Sequence, residues 1–382
     1  MAHPLKAQTT MRTHSPVQAS ANPSHIRGLD GIRACAFLLV LCGHCGFSWI
    51  PNGFGVTVFF FLSGYLITTL LRKEWIHNGS ISVSHFYVRR AFRILPPLYC
   101  ALILAIALAL TGATHSEVHW KAVAAIQLFL TNYSDLIVGA SVPLGLSVLW
   151  LLAVEEHFYL VFPWVYRALL KGGMRRSRQV VLLGCICLLA LVWRTVLMSD
   201  FHVFWNRVYT GTDTRLDSIL FGSIMAIAVN PVIDRLDRIT RRRCAIAAVI
   251  GVVVLIVSIA MRGELFRQTL RYTVQGVALF PIFVYVIRYS DSTVTRIMEW
   301  KVLTHIGDLS YSLYVVHYTV MFVVKIWVTT NPFLTLLITF TVSYIIAEFM
   351  RRYVELPSVR MRNRVLERTR ANTVAQEASP AT

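Results

Sequence analysis

Residues 54–71 read FGVTVFFFLSGYLITTLL, eighteen consecutive positions without a charged side chain. As a helix, a run of this length covers about 27 Å, close to the thickness of the hydrocarbon core of a bilayer. It is longer than an ordinary buried strand and is typical of a transmembrane helix. The stretch therefore predicts a protein that lives in a membrane.

The composition of the whole chain agrees with this environment. Of the 382 residues, 56% are hydrophobic and only 15% are charged, whereas a soluble domain is about 25% charged. We expect an all-α fold, a polytopic integral membrane protein with about ten transmembrane helices. The predicted spans are residues 34–50, 54–71, 94–111, 148–166, 180–198, 213–229, 244–261, 271–288, 304–328 and 332–350.

The stretch 120–138 is ambiguous, and the distribution of Lys and Arg decides its interpretation. If it does not cross the membrane, 29 of the 37 Lys and Arg fall on one side, 4 on the other, and the rest within spans. If it does cross, the basic loop 167–179 is placed outside. The sequence therefore predicts a re-entrant or interfacial segment at 120–138 and both termini in the cytoplasm.

The net charge of +18 is consistent with nucleic-acid binding or with anchoring to anionic lipid. Because the basic residues concentrate in the predicted cytoplasmic segments, we expect membrane lipid as a partner and no nucleic acid. Residues 1–24 are polar and lack an apolar core, which predicts a disordered cytoplasmic tail and no signal peptide. A transmembrane domain over residues 25–357 and a basic, disordered cytoplasmic tail over 358–382 complete the predicted organisation.

Ionisable side chains inside predicted spans are the candidate functional residues, because burying them in lipid is costly. In the first span, Arg33 and His44 share one helix face and lie about 16 Å apart along the axis. That distance is comparable to the length of an extended pantetheine arm. For His44, chemistry and a structural hydrogen bond remain alternatives. Cys42 and Cys45 flank it, but no second ligand pair follows, so we expect no metal site.

Two later segments add a hydroxyl and a pair of cations. Ser63 and Gly64 permit close helix approach and place a hydroxyl inside the bundle. Arg90 and Arg93 lie one helical turn apart, which suits phosphate binding, with juxtamembrane anchoring as the alternative.

The remaining candidates lie deeper along the chain. Glu155 and Tyr159 share a helix face, and we expect Arg215 and Asp217 to neutralise each other in part. His317 is expected to make a structural hydrogen bond, with catalysis as the alternative.

Depth along the helices predicts two clusters. His44, Glu155 and Asp217 are expected toward the outer side, and Arg33, Arg90 and Arg93 at the inner edge. This arrangement suits a phosphorylated donor that enters from the cytoplasm and an acceptor reached from outside.

These segments together resemble the acyltransferase-3 family, polytopic membrane O-acyltransferases that modify bacterial surface glycans and some lipids or small glycosides. The resemblance covers Arg27 to Pro357, and Leu151 and His157 depart from the family's usual Ser and Gln. The matching motifs are Arg33-x10-His44, Phe60-Phe61-Leu62-Ser63-Gly64, Arg90-x-x-Arg93, Trp150 to Tyr159, Arg215-Leu216-Asp217, Gly307 to His317, and Glu355-x-Pro357.

The resemblance implies that His44 is essential, that Arg33, Arg90 and Arg93 bind the donor, and that the donor is acetyl-CoA or another acyl-CoA, with no bound cofactor. We expect catalytic roles for His44 and Glu155. The residues expected to contact substrate are Ser63, Tyr159, Arg215, Asp217 and His317.

The predicted function is O-acyl transfer in the cell inner membrane, from cytoplasmic acyl-CoA to a hydroxyl of a glycan, a lipid-linked sugar or another acceptor. Because the sequence ends at Thr382, we expect any second transfer step to need a separate protein. A transporter or permease that uses the buried charges to couple solute or protons is the rival. A scaffold protein leaves the buried carboxylates unexplained.

Overall fold

A computed structural model describes residue 26 and residues 28–137, 139, 142–143, 145–201, 203–237 and 239–378. All regular secondary structure in this part of the chain is helical, and it contains no strand. The predicted tail 1–24 lies outside the described residues. The helices are α1 (Leu29–Cys45), α2 (Asn52–Asn78), α3 (Val83–Leu110), α4 (Trp120–Gln127), α5 (Ser134–Ile137), α6 (Trp150–Lys171), α7 (Arg176–Ser199), α8 (Trp205–Thr210), α9 (Thr212–Ala228), α10 (Arg241–Ala260), α11 (Glu264–Gln268), α12 (Leu270–Arg288), α13 (Thr293–Met298), α14 (Lys301–Asp308), α15 (Ser310–Trp327), α16 (Pro332–Met350) and α17 (Leu356–Ala378).

Seven of the described helices are long and apolar enough to cross a membrane, namely α2, α3, α6, α7, α10, α12 and α16. The pair α14 and α15, bent by 73° at their junction, counts as an eighth if it is one broken span. Helices α1 and α9 have 17 residues each, which is about 26 Å of helix. Each of the ten predicted spans is thus helical over most of its length, and the count of ten crossings stays a prediction.

The ambiguous stretch 120–138 is divided into short pieces. Its longest helix, α4, has eight residues, and it is followed by a 3-10 turn at Thr131–Tyr133 and the four-residue α5. Eight residues of helix cover about 12 Å, less than half of a bilayer core. Among the described residues of this stretch, none forms a helix long enough to cross.

Two segments are helical over more of the chain than expected. Helix α3 begins at Val83 rather than near residue 94, with Ser82 as its N-cap, so Arg90 and Arg93 lie two to three turns inside a helix and not at its edge. Helix α17 occupies residues 356–378, where the sequence predicts a disordered tail. The predicted domain boundaries stay a prediction.

The two ends of the bundle differ in charge. At one end, Arg72 and Arg176 both contact Asp234, at 2.9 and 2.8 Å, and Arg288 donates to the carbonyl oxygen of Leu236. These contacts bring together the end of α2, the start of α7, the α9–α10 connection and the end of α12. We call this the basic end, and we call the end that carries the connections after α1, α3, α7 and α10 the low-charge end.

Helices α2 and α9 approach each other through two glycines. A Cβ at Gly64 would overlap the carbonyl oxygen of Ile219, and a Cβ at Gly222 would overlap that of Phe61. The two backbones are therefore in direct contact, which only glycine permits at these positions. The packing role predicted for Gly64 is confirmed.

A fully buried ion pair connects the neighbouring helices. Arg194 of α7 donates two hydrogen bonds of 2.8 Å to the carboxylate of Asp217 on α9, and both side chains are 0% exposed. Thr273 of α12 bonds to both partners. The predicted neutralisation of Asp217 by Arg215 is wrong, since two side chains two positions apart on a helix point in different directions.

Removing one member of this pair leaves an uncompensated buried charge. We expect Arg194→Met or Asp217→Asn to destabilise the protein by about 3–5 kcal/mol, and the double variant Arg194→Met/Asp217→Leu to regain most of that loss. The measurement is the thermal unfolding midpoint of the purified protein in detergent.

The more exposed pair Arg207–Asp213, at 2.7 Å and about one-third exposed, is the matched control. Breaking it with Arg207→Gln should cost less than about 1 kcal/mol. If breaking either pair lowered the unfolding midpoint by the same amount, the buried pair would make no special contribution to stability.

Candidate active site

The His44 side chain lies at the end of α1 against α15. Its Nδ1 is 3.1 Å from Nε2 of His317, and the two rings are parallel within 5°. The Tyr318 ring packs on His44 with 4.6 Å between ring centres. Lys325 donates to the backbone carbonyl oxygen of His44 at 2.8 Å and fixes the end of α1. His317 thus makes the structural hydrogen bond expected of it, and the partner is His44.

The hydrogen bonds determine which nitrogen carries each proton. His317 Nδ1 lies 2.7 Å from the carbonyl oxygen of Tyr314, which can only accept, so Nδ1 carries the proton and the neutral ring has a free lone pair on Nε2. That lone pair accepts from Nδ1–H of His44. The Nε2 atom of His44 is therefore left unprotonated. His317 is 0% exposed, so no bulk water competes for this arrangement.

His44 also lines a cavity of about 730 Å³, a size typical of small-ligand sites. The cavity walls come from the connections after α1, α3, α7 and α10, together with the ends of adjoining helices. All four connections belong to the low-charge end, as the predicted topology requires. His44, with its unprotonated nitrogen, thus lies where α1 ends at the cavity, on the low-charge side of the bundle.

Aromatic side chains form much of the cavity wall, and the sequence motifs included only a few of them, such as Trp150. The aromatic residues of the wall include Trp49, Trp150, Trp205, Tyr209 and Tyr272. Trp150 packs on Tyr209 with 4.9 Å between ring centres. For the aromatic residues outside the motifs, the only sequence signal is the recurrence of Trp and Tyr near the outer ends of spans. An aromatic belt at the membrane interface has the same signature.

The predicted donor-binding residues form a separate cluster farther toward the basic end. Arg33 pairs with Asp30 at 2.5 Å, and the guanidinium of Arg90 lies 4.6 Å from the centre of the Tyr159 ring. Arg33, Arg90 and Arg93 all interact electrostatically with the carboxylate of Glu155. The structure therefore brings the three predicted arginines into one group.

Glu155 belongs to this cationic cluster and not to the wall of the His44 cavity. It accepts a hydrogen bond from the hydroxyl of Ser63, and its neighbours include Glu156 and Tyr159. Depth along α6 placed Glu155 level with His44, but depth does not tell which neighbouring helix a side chain faces. The predicted outer group of His44, Glu155 and Asp217 is divided among three environments.

Arg215 is the remaining predicted contact residue. Its guanidinium lies 3.8 Å from the centre of the Tyr272 ring and 5.4 Å from those of Phe60 and Tyr209, and it donates to Thr57. The side chain is fully buried, and its Nε and Nη1 atoms have no hydrogen-bond partner among the described residues. Arg215 is held by aromatic rings directly behind the cavity wall.

The two departures from the family pattern lie near these groups. His157 makes a hydrogen bond of 2.7 Å with the hydroxyl of Thr212, and Leu151 is buried at 6% exposure. Neither contacts His44 in the described interactions, so the histidine pair is retained despite both substitutions.

Comparison with known proteins identifies the family of this chain. Residues 26–349 match the acyltransferase-3 family, described as an acyltransferase domain. The peptidoglycan O-acetyltransferase OatA of Listeria monocytogenes is 30% identical over 87% of this chain and 56% of its own length. The O-acetyltransferase OatA of Staphylococcus aureus is 29% identical over 88% and 57%, and a putative O-acetyltransferase of that organism is 31% identical over 87% and 57%.

The chain thus spans little more than half the length of these relatives, and no solved structure matches it. The family match covers α1 to α16 almost completely, including both histidines and the cationic cluster. The chain belongs to the acyltransferase-3 family and is a multi-pass membrane protein.

Proposed function

We propose that this protein is a membrane O-acyltransferase that moves an acetyl group from acetyl-CoA to a hydroxyl of a glycan. The observation that carries the proposal is the pair His44–His317, which leaves an unprotonated nitrogen on the residue that lines the cavity. A lone pair that no hydrogen bond within the described part of the protein occupies, on a residue that lines the cavity, is what a general base requires.

The chemistry assigned to His44 is proton transfer. As the acceptor oxygen attacks the thioester carbonyl carbon, Nε2 of His44 takes the hydroxyl proton. The tetrahedral intermediate then collapses, the carbon–sulfur bond breaks, and the departing CoA thiolate takes the proton from His44. The Nδ1–H bond to His317 orients the ring and stabilises the transient imidazolium.

The cationic cluster is proposed as the donor site. Arg33, Arg90 and Arg93 supply guanidinium groups suited to the phosphates of CoA. Glu155, hydrogen-bonded by Ser63, is proposed to hold these cations in position before the donor arrives. Since Arg33 and His44 are on α1 about 16 Å apart, an extended pantetheine arm is suited to reach from one to the other.

The cavity is proposed as the acceptor site. Its aromatic rings offer flat apolar faces, and its polar residues, among them Asn52, Asn132 and Gln275, offer hydrogen bonds. This combination suits the ring faces and hydroxyls of a sugar. The relatives named O-acetyltransferases support an acetyl group, and the relative named for peptidoglycan supports a glycan.

The orientation follows from charge. The basic end is proposed to face the cytoplasm, where acyl-CoA is available and anionic lipid attracts Lys and Arg. The cavity then opens on the outer side of the cell inner membrane, and both termini are cytoplasmic.

Replacing His44 by Ala removes the proposed base. We expect His44→Ala to insert and to unfold at nearly the wild-type temperature, but to lose acetyl transfer by at least about 100-fold. The assay follows radiolabel from acetyl-CoA into glycan in vesicles. Wild-type transfer by His44→Ala would contradict the mechanism. Uptake of intact solute without acetylation would favour the transporter.

Replacing His317 tests the assignment of protons. In His317→Phe the acceptor for His44 Nδ1–H is lost, so we expect kcat to fall about 100-fold while KM for acetyl-CoA stays constant. His317→Gln, whose amide oxygen can accept the same bond, should retain more activity.

Tyr318→Phe is the matched control for His317, because it keeps the ring contact with His44 and leaves Nδ1 untouched. Its kcat should stay within a few-fold of wild type. A loss as large as that of His317→Phe would mean that packing around His44, rather than the proton on Nδ1, limits the reaction.

Replacing Arg90 tests the donor site. Since a hydrogen bond to a charged group is worth about tenfold in affinity or more, we expect Arg90→Gln to raise KM for acetyl-CoA by at least that factor. The neighbouring Arg89, which pairs with Glu74 at 3.1 Å, supplies the control Arg89→Gln. Equal increases in KM would indicate a general effect of surface charge.

A further inference from the structure

We propose that the cavity at the low-charge end binds a glycan that carries an anionic group, through a cationic rim of Arg262, Arg267 and Arg271. All three line the cavity, on the connection between α10 and α12 and its edges. The inference rests on the proposed function and narrows its acceptor to glycans with a carboxylate or a phosphate.

The three guanidinium groups are close enough to repel one another. Arg267 and Arg262 both act electrostatically against the charged form of Arg271. Among the residues that the structure describes, none of the three has a carboxylate within ion-pair distance. Holding three like charges together without a direct ion-pair partner is unfavourable in the free protein. A bound anion would relieve that repulsion.

Among the three arginines, Arg271 shows most directly a hydrogen-bond donor that its described neighbours leave unused. One of its terminal nitrogens donates to the carbonyl oxygen of Met261 at 2.6 Å, which fixes the guanidinium at the end of α10. Its Nε is buried and has no partner in the described part of the chain. The protein therefore fixes the orientation of the Arg271 side chain, but the described residues supply no hydrogen-bond acceptor for its Nε.

The position of the rim is unusual for this chain. Only four Lys and Arg lie in the predicted outer connections, and two of them, Arg262 and Arg267, belong to the rim. Of the others, Arg207 is neutralised by Asp213 at 2.7 Å, and Lys121 is exposed on α4. Uncompensated positive charge at the low-charge end thus concentrates at the cavity.

Other charged groups near the cavity fit a charged sugar rather than a simple anion. Asp135 and Glu264 also line it, and carboxylates accept hydrogen bonds from sugar hydroxyls. Arg215 lies behind Tyr209 and Tyr272, where a buried charge acts through a low dielectric. The anion would bind at the rim, and the sugar rings would lie along the aromatic wall toward His44.

The anionic group has two chemical sources, a carboxylate on the sugar itself or the diphosphate of a lipid-linked sugar. Measuring how each probe binds to the protein in phosphatidylcholine nanodiscs distinguishes these two sources. Binding is measured by tryptophan fluorescence, because Trp49, Trp150 and Trp205 line the cavity. The probes are N-acetylglucosaminyl-N-acetylmuramic acid, its neutral carboxamide, chitobiose and chitobiosyl polyprenyl diphosphate.

We expect one anionic probe to bind at least tenfold more tightly than its neutral counterpart, and the preference to weaken in 0.5 M NaCl, where screening extends over only about 4 Å. A preference for the carboxylate identifies the sugar as the source, and one for the diphosphate identifies the lipid carrier. If neither anionic probe binds more tightly than its neutral counterpart, the proposal is wrong.

The variant Arg262→Gln/Arg267→Gln should reduce binding of the anionic probe about tenfold or more and leave the neutral probe unchanged. Lys121→Gln, which removes a charge at the same end but away from the cavity, should change neither. Equal losses for charged and neutral probes would assign the rim a structural role and overturn the proposal.

The binding measurement is independent of catalysis. His44→Ala should retain the preference for the anionic probe, since it leaves the rim intact. Acetyl transfer by His44→Ala would refute the proposed mechanism but not the proposed binding of an anion at the rim. An active enzyme that shows no preference for the anionic probe would refute anion binding at the rim alone.

Discussion

The cost of a charge in a low-dielectric bundle constrains the rest of this structure. Arg194 and Asp217 meet that constraint by neutralising each other at 0% exposure, with Thr273 hydrogen-bonded to both. The pair joins α7, α9 and α12, and α9 in turn lies in backbone contact with α2 through Gly64 and Gly222. Ser63, next to Gly64, thereby reaches Glu155. The cationic cluster is thus built against helices that the buried pair connects.

Local properties of the sequence were enough to predict the helices and one important relation within them. Hydropathy and length depend only on consecutive residues, and each predicted span is helical over most of its length. Arg33 and His44 share α1, and helical periodicity alone relates them. The start of α3 was missed because Val83–Arg93 carries three arginines and a histidine, and hydropathy locates the part of a helix that lies in lipid rather than the helix itself.

Relations between helices were out of reach of the same reasoning. The depth of Glu155 was estimated along α6, but its partners are on α1, α2 and α3, and nothing local to residues 150–159 identifies them. The cavity is a stronger case, because its wall is assembled from four connections that are far apart in the chain. Motif order singled out the two histidines and the three arginines, whereas their division into two groups required the packed structure.

Arg194 and Arg215 show that two equally buried charges in one bundle can be stabilised in different ways. Both are arginines at 0% exposure, so burial alone does not distinguish them. Arg194 directs its charge at a carboxylate, and a ligand would have to break that pair to use it. Arg215 rests on Tyr272 and Tyr209, rings of the cavity wall, with two nitrogens unpartnered among the described residues. Its charge is stabilised without being neutralised, so its field remains available to the cavity.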